Sequence, residues 1–305
     1  MKKKRILIVG SKYSGEKNDP TILANSITSK NTVVTIIFWE DIYFEVISNT
    51  VNASINNTYL SSMGIDLVIA TGWYKNGAFS IYRDLALSLA MILDNLGVKY
   101  WNSEMGNQRS TTKLSATLKL ALSGIEVIDT SFCLNKEILR GVLLSDSRSK
   151  WVLKAAAASR GRSNYLISNE EDFISVLSSD NSNFLLQPYI ENDHDIRVIC
   201  FGGKPSIAFL RSRSKKSSTH LNNTSKGGVV KKIELLELGS ETISNCIKIC
   251  KIFSTEMAGI DLMPNIQSST GYSILEVNVV PQLTSGFDPG LKLKELNRSI
   301  EEYIQ

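Results

Sequence analysis

Histidine is nearly missing from this sequence, which has two, and cysteine is scarce, with four. No two cysteines stand in a C-x-x-C pair, so the usual spacing of a structural zinc site is lacking. Cys133, Cys200, Cys246 and Cys250 read as reduced thiols of a cytoplasmic protein rather than as a disulfide framework. Cys246 and Cys250 lie one helical turn apart and read as small buried residues on one helix face. Long apolar runs are lacking too. After Met1-Lys2-Lys3-Lys4-Arg5, the run Ile6-Leu7-Ile8-Val9 stops at Gly10, too short for a signal sequence or a membrane span. Nor is there a large excess of charge. The balance of 34 basic and 30 acidic residues leaves +4, which provides no electrostatic footprint for nucleic acid. His194 and His220 read as incidental polar residues. What remains is ordinary globular composition, 43% hydrophobic and 21% charged over 305 residues, with enough chain for a sizeable core.

Strand and helix signals alternate through the first hundred residues. Residues 6–9, 33–39 and 66–70 are compact β-rich runs. Leu85, Leu89, Ile92, Leu93 and Leu96 recur at helical spacing until Gly97 ends the helix, and 99–102 is a short return strand. The pattern is that of a parallel α/β layer. Gly10-Ser11-Lys12-Tyr13-Ser14-Gly15 hints at a phosphate loop but fits neither the Walker spacing nor GxGxxG. A second helix is expected over 110–122, ended by Gly124, and a third over 170–177 among short strands. The remainder is strand-rich, at 197–201, 206–210, 258–263 and 272–277, with helices at 240–253 and from 293 onward. The polar, basic stretch from Arg211 to Thr224 reads as a mobile loop.

The residues that carry chemistry start with Glu276 and Asn278. Two apart on a strand, they point to one face and offer the hard oxygens magnesium prefers. Asp261 lies on the preceding strand, and a hairpin turning near Ser268 and Ser269 would bring it across from Glu276. Lys154 ends an apolar strand and is followed by small residues with Ser159, Arg160, Gly161 and Arg162, a composition able to cover a triphosphate. Lys113 stands at the start of a helix. In Gln187-Pro188-Tyr189-Ile190 a strand runs into proline and could present backbone groups to an adenine edge. Asp195 and Arg197 follow, two apart on one face, and Gly202-Gly203-Lys204 makes a hairpin turn.

In this order the pieces resemble the ATP-grasp superfamily, and within it the RimK-like carboxylate–amine (glutamate) ligases. The resemblance covers about residues 100 to 285 and includes an N-x-x-x-G-G element at Asn223 to Gly228. It implies an α/β and α+β fold: an N-terminal Rossmann-like domain over 1–105, a central subdomain over 106–186 and a C-terminal subdomain over 187–305, with the nucleotide between the last two. It implies that Lys113 and Lys154 contact the ATP phosphates and that Ser159, Arg160, Gly161 and Arg162 form a lid. Gln187, Pro188, Tyr189 and Ile190 would hold adenine, Asp195 would sit near the ribose or the site edge, and Asn223 near the nucleotide. Arg197 and Arg211 would be catalytic, facing the phosphates and the reacting carboxylate. Asp261, Glu276 and Asn278 would bind one or two Mg²⁺ ions, with Mn²⁺ as a substitute. Departures from the family pattern are the alanine run 155–158 with Gly161 alone, Gln187 for a common glutamate, Gln282 for a common glycine, and Leu221 for an arginine.

The implied activity is ATP-dependent joining of a carboxylate to an amine through an acyl phosphate. Its partners would be an amino acid and a peptide or protein acceptor, with no nucleic acid, no membrane and a homo-oligomer as an option. A ligase that crosslinks side chains of a ribosomal peptide is a second reading, and a nucleotide-binding protein without ligase activity a third. The basic residues Arg211, Arg213, Lys215, Lys216, Lys226, Lys231 and Lys232 could attract an acidic peptide.

Overall fold

A computed structural model describes residues 3–12, 19–71, 79–102, 112–156, 163–213 and 229–305. In the N-terminal region β1 (Lys4–Gly10) leads to α1 (Pro20–Ser26) and β2 (Thr32–Phe38). A three-stranded meander follows, β3 (Tyr43–Ile47), β4 (Thr50–Ile55) and β5 (Thr58–Tyr59), then β6 (Leu67–Ala70), α2 (Phe79–Asn95) and β7 (Lys99–Trp101). β2, β1, β6 and β7 form one parallel sheet in that order. β1 and β6 are buried on both faces, which is why they read as unbroken apolar runs rather than alternating ones. Asp19 caps α1 by accepting from the N–H groups of Thr21 and Ile22 at 2.7 and 3.1 Å, with Pro20 in the first turn. A Cβ on Gly10 would meet the Pro20 ring at 2.9 Å, so this glycine allows close strand–helix packing. The meander is absent from the sequence reading. Its turns are Ser48-Asn49 and Asn56-Asn57, all four with positive φ, a pairing characteristic of tight hairpins.

The next segment runs through α3 (Lys113–Leu122), β8 (Ser131–Phe132), α4 (Lys136–Ser145), β9 (Trp151–Ala155), β10 (Asn164–Ile167), α5 (Glu170–Ser179) and β11 (Phe184–Pro188). Its sheet has the order β10-β9-β11-β8 and is antiparallel. Trp151, Leu153, Phe184 and Leu186 pack with Leu139, Leu143 and Phe173 of α4 and α5 in one core. By strand alternation Val152, Lys154, Leu185 and Gln187 take the other face. Because this core is small, Phe173→Ala is expected to cost about 3–5 kcal/mol, measured by urea denaturation.

The C-terminal sheet holds β12 (His194–Phe201), β13 (Lys204–Ser212), β14 (Val229–Ile233), β15 (Ala258–Pro264) and β16 (Tyr272–Asn278) in the order β14-β13-β12-β15-β16. α6 (Ser240–Phe253) and α7 (Pro289–Ile304) complete the chain. One face, with Ile196, Val198, Ala208, Ile260 and Leu262, packs on α6 and on Leu120 of α3. Cys200, Cys246 and Cys250 are buried in this core as free thiols. The far end of the other face, with Ile199, Phe201, Ile207 and Phe209, joins Ile6, Ile8, Leu67 and Trp101 of the first sheet and Leu296 and Ile300 of α7. The N-terminal sheet and the C-terminal sheet therefore share a core. Asp288 caps α7 through Leu291 N–H, so the helix begins four residues before the apolar spacing announces it. No helix among the described residues is long and apolar enough to cross a membrane.

Candidate active site

A β-bulge decides where Glu276 points. Leu262 pairs with Ile274 and Asp261 with Glu276, so Leu275 is an extra residue in β16. Without it, Ile274 and Glu276 would share a face. With it, Ile274 enters the core against α6 while Glu276 turns to the opposite face beside Asp261. The register expected from sequence, Asp261 across from Glu276, is the register observed. The connecting turn is closed by Asn265 N–H to the Gly271 carbonyl at 2.9 Å, and it is pinned outside by Ser269 N–H to the Glu126 carboxylate.

The same face carries Asp195, Arg197 and Arg211, because Asp195 pairs with Arg211 and Arg197 with Asp261 across adjacent strands. Arg197 binds Asp261 through two bonds, Nε to Oδ1 at 2.6 Å and Nη2 to Oδ2 at 2.5 Å. Arg211 donates from Nε to Asp195 Oδ1 at 2.5 Å, and its Nη2 lies 3.2 Å from Asp261 Oδ1. Asp195, Arg211 and Asp261 are all buried. Burial would raise the Asp261 carboxyl, but the guanidiniums of Arg197 and Arg211 outweigh it and hold it at about 2. Asp195 is shifted upward, by burial first and by the Asp261 charge, against the pull of Arg211. Burial opposes the charge of Arg211, yet Asp261 and Asp195 raise its pKa.

The facing wall comes from α3, β9 and β11. Lys154 is 7% exposed, and its ammonium makes no hydrogen bond or ion pair with any described residue. Lys113 donates to the Ala155 carbonyl at 3.0 Å. Its pKa is lowered by burial and by the charge of Lys154, while Glu276 opposes the shift, so the three groups lie within one electrostatic neighbourhood. A cleft between these walls is lined by Thr112, Lys113, Thr117, Gln187, Leu275 and Glu276. Gln187 donates from Nε2 to Thr130 Oγ1 at 2.9 Å. β8 covers only Leu185 and Leu186, so its ladder on that edge of β11 stops before Gln187 and Pro188. Tyr189 N–H bonds the Lys150 carbonyl at 3.0 Å, and Ile190 follows beyond the strand.

The structure thus brings together Lys113, Lys154 and Glu276 across the cleft, and Asp195, Arg197, Arg211 and Asp261 in one ion network. Asn278 lies at the end of β16, opposite Gly259. Ser159, Arg160, Gly161, Arg162 and Asn223 lie outside the described residues. Among the described residues no three His, Cys, Asp or Glu side chains form a metal-binding group. The donor set is nonetheless of the kind Mg²⁺ accepts, since that ion takes one or two carboxylates and completes its shell with water and phosphate oxygens. Asn278 also has the Nδ2 end of its amide buried without a partner. Asp261 differs from Glu276, because both its oxygens already engage arginines. Sequence reasoning missed Thr112, Thr117 and Thr130, which carry no motif, and Lys292, which had a signal. Lys292 falls on the buried stripe of α7 with Leu296 and Ile300, where an apolar residue is expected.

The RimK-like ATP-grasp domain matches residues 110–298, more than half of the chain. The chain belongs to the RimK-like ATP-grasp family. Of its relatives, a protein of Trichodesmium erythraeum (strain IMS101) named "Probable alpha-L-glutamate ligase" is 28% identical over 191 residues. That match spans 62% of this chain and 62% of the relative, somewhat less than two thirds of its length. Among solved structures, the ATP-grasp ligase PsnB complexed with a minimal precursor, Mg and ADP superposes with a TM-score of 0.73 at 13% identity, covering 98% of this chain and 97% of PsnB. The macrocyclase MdnC, bound with precursor peptide MdnA from Microcystis aeruginosa MRC, gives 0.68 at 12% identity, covering 98% and 99%. At such identities the structural likeness establishes the ATP-grasp fold of this RimK-like chain. The family match ends at residue 298, close to the end of α7, so that helix belongs to the domain as fully as the cleft does.

Proposed function

We propose that this RimK-like protein is an ATP- and Mg²⁺-dependent ligase that joins a carboxylate to an amine, acting on an amino acid and a peptide or protein. The observation that carries this is the gathering of two lysines, Lys113 and the buried residue Lys154, with the Glu276 carboxylate at one cleft. Lysine ammoniums gathered at a cleft attract an anionic ligand such as a phosphate group, and the carboxylate beside them suits its counter-cation. Bound ATP supplies a transferable phosphoryl group, and one or two Mg²⁺ ions, or Mn²⁺, supply its counter-charge. Glu276 and Asn278 would hold the metal, and Asp261, whose oxygens engage Arg197 and Arg211, would stand beside them as a further ligand. Lys113 and Lys154 bind phosphate oxygens. Gln187 to Ile190 border the adenine, while Ser159, Arg160, Gly161, Arg162 and Asn223, outside the described residues, take the roles that the family resemblance implies.

The substrate carboxylate oxygen attacks the γ-phosphorus as the bridging P–O bond breaks, giving ADP and an acyl phosphate. The amine nitrogen then forms a bond to the acyl carbon, loses a proton, and phosphate departs with the C–O electrons. Arg197 and Arg211 are fixed by Asp261 and Asp195 on the face where negative charge develops, so little reorganisation is needed. Binding of ATP with Mg²⁺ is expected to raise the melting temperature, and excess EDTA to cancel most of the rise. No shift with ATP at any magnesium concentration would sink the proposal. ADP release that depends on an added amine separates a ligase from a binding protein, and product mass separates addition of an acceptor from crosslinking within one peptide.

A further inference from the structure

Gln187 lines the cleft, and its amide has two unlike ends, a carbonyl that accepts and an NH₂ that donates. The end that faces a nucleotide base decides which base fits. A purine with an amino group at C6 donates there, whereas one with an oxo group accepts. Turning the amide over reverses the preference, and the last torsion of a glutamine is soft unless a neighbour holds it.

Thr130 is that neighbour. It precedes β8, and carrying the β8–β11 register one step past Ser131 and Leu186 sets it across from Gln187. Gln187 Nε2 lies 2.9 Å from Thr130 Oγ1, and Thr130 Oγ1 donates to the Ile128 carbonyl at 2.8 Å. The second bond fixes the sense of the first. A carbonyl oxygen only accepts, so the single hydroxyl proton of Thr130 is committed to Ile128. Towards Gln187 the hydroxyl can then only accept, and the amide has to present its nitrogen. The carbonyl end, Oε1, is turned away from Thr130, and no described residue donates to it. Inverting the amide would set Oε1 against Thr130 Oγ1, acceptor against acceptor. Relief would take the proton away from the Ile128 carbonyl.

The segment that carries Thr130 is anchored at both ends. Val127 bridges to Ile274 of β16, and Ile274 N–H donates to the Glu126 carbonyl at 3.0 Å. Ser131 and Phe132 join β11. Ile125 and Ile128 are buried. Thr130 is thereby held relative to both walls of the cleft, β16 on one side and β11 on the other.

We infer that Thr130 is a positioning residue for base selectivity: by locking the Gln187 amide it presents Oε1 as an acceptor and selects a 6-aminopurine nucleotide over a 6-oxopurine one. This rests on the reading that Gln187 to Ile190 border the adenine. The need for Thr130 comes from the amide. A carboxylate at 187 would offer an acceptor whichever way it turned, and an unheld glutamine would accept either purine.

The test titrates MgADP and MgIDP onto the full chain. The two nucleotides differ only at C6 and N1 of the base, and neither requires turnover. The unaltered protein should bind MgADP about tenfold more tightly than MgIDP, or better. Thr130→Val keeps the shape and removes the hydroxyl, and it should narrow that preference about threefold or more. Thr130→Ser restores the hydroxyl and should keep the preference. In a Gln187→Glu background the added Thr130→Val should leave the preference within about twofold, because nothing remains to be oriented. Thr130→Ala gives the same comparison if Thr130→Val folds poorly. An unchanged preference in both variants, or an equal loss of affinity for MgADP and MgIDP, overturns the positioning role. Equal binding of the two nucleotides by the unaltered protein overturns the selectivity. Failure to bind MgADP at all would instead overturn the ligase reading.

Discussion

Glu276→Gln lowers ATP turnover by about 10²–10³-fold or more while the melting temperature stays close to that of the unaltered protein. The substitution keeps the shape of the side chain and removes its charge. Glu276 is the acidic group that Lys113 faces, and the bulge at Leu275 aims it away from the apolar core, so no packing is lost. On the proposed reading, what is lost is a charged oxygen ligand for the cation that balances the phosphates. Steady-state ADP release and a thermal melt without nucleotide check the two halves of this expectation. Turnover within threefold of wild type would remove Glu276 from the metal site. A collapse in melting temperature would make it a structural residue instead.

The second large effect is on stability. Asp261→Ala is expected to cost about 3–5 kcal/mol, because it strands Arg197 and Arg211 without their shared buried carboxylate. Urea denaturation at neutral pH measures it. The titration of Asp261 predicts a pH dependence as well. Its carboxyl is at about 2 in the folded protein against an ordinary 3.8, so the unfolded chain binds this proton more readily. The ion network therefore contributes its stability above about pH 4 and loses about 2 kcal/mol as pH falls from there through about 2. Asp195, shifted the other way by burial, works against the network at neutral pH and gains on protonation. The difference in stability between wild type and Asp261→Asn should accordingly narrow over the interval from about pH 4 to about pH 2. A constant difference would mean that Asp261 acts by shape rather than by charge.

Much of the candidate site could be read in one dimension because strand periodicity is a local property. The separation of two residues puts Glu276 with Asn278, and Asp195 with Arg197, on common faces wherever those strands lie. The hairpin from Asp261 to Glu276 was likewise legible, since a short polar loop between two apolar strands leaves few registers. Other features had signals that went unread. Asn56-Asn57 and Ser48-Asn49 marked the meander, Asp288-Pro289 marked the start of α7, and Lys292 interrupted an apolar stripe.

The amino-acid sequence by itself determined the layered α/β start, the strand-rich second half, the family to which the chain belongs and the order of its charged residues. It could do so because apolar spacing, turn residues and motif order are local and survive any arrangement of the elements. Only the tertiary structure decided that Asp261 spends both oxygens on arginines, that Lys154 is buried near Lys113 and Glu276, and that Lys292 stands behind the 279–288 loop bordering Arg197. Those facts depend on which strands lie side by side and on how much water is excluded between them. Charges separated by 64 residues, such as Arg197 and Asp261, become partners only when the sheet assembles.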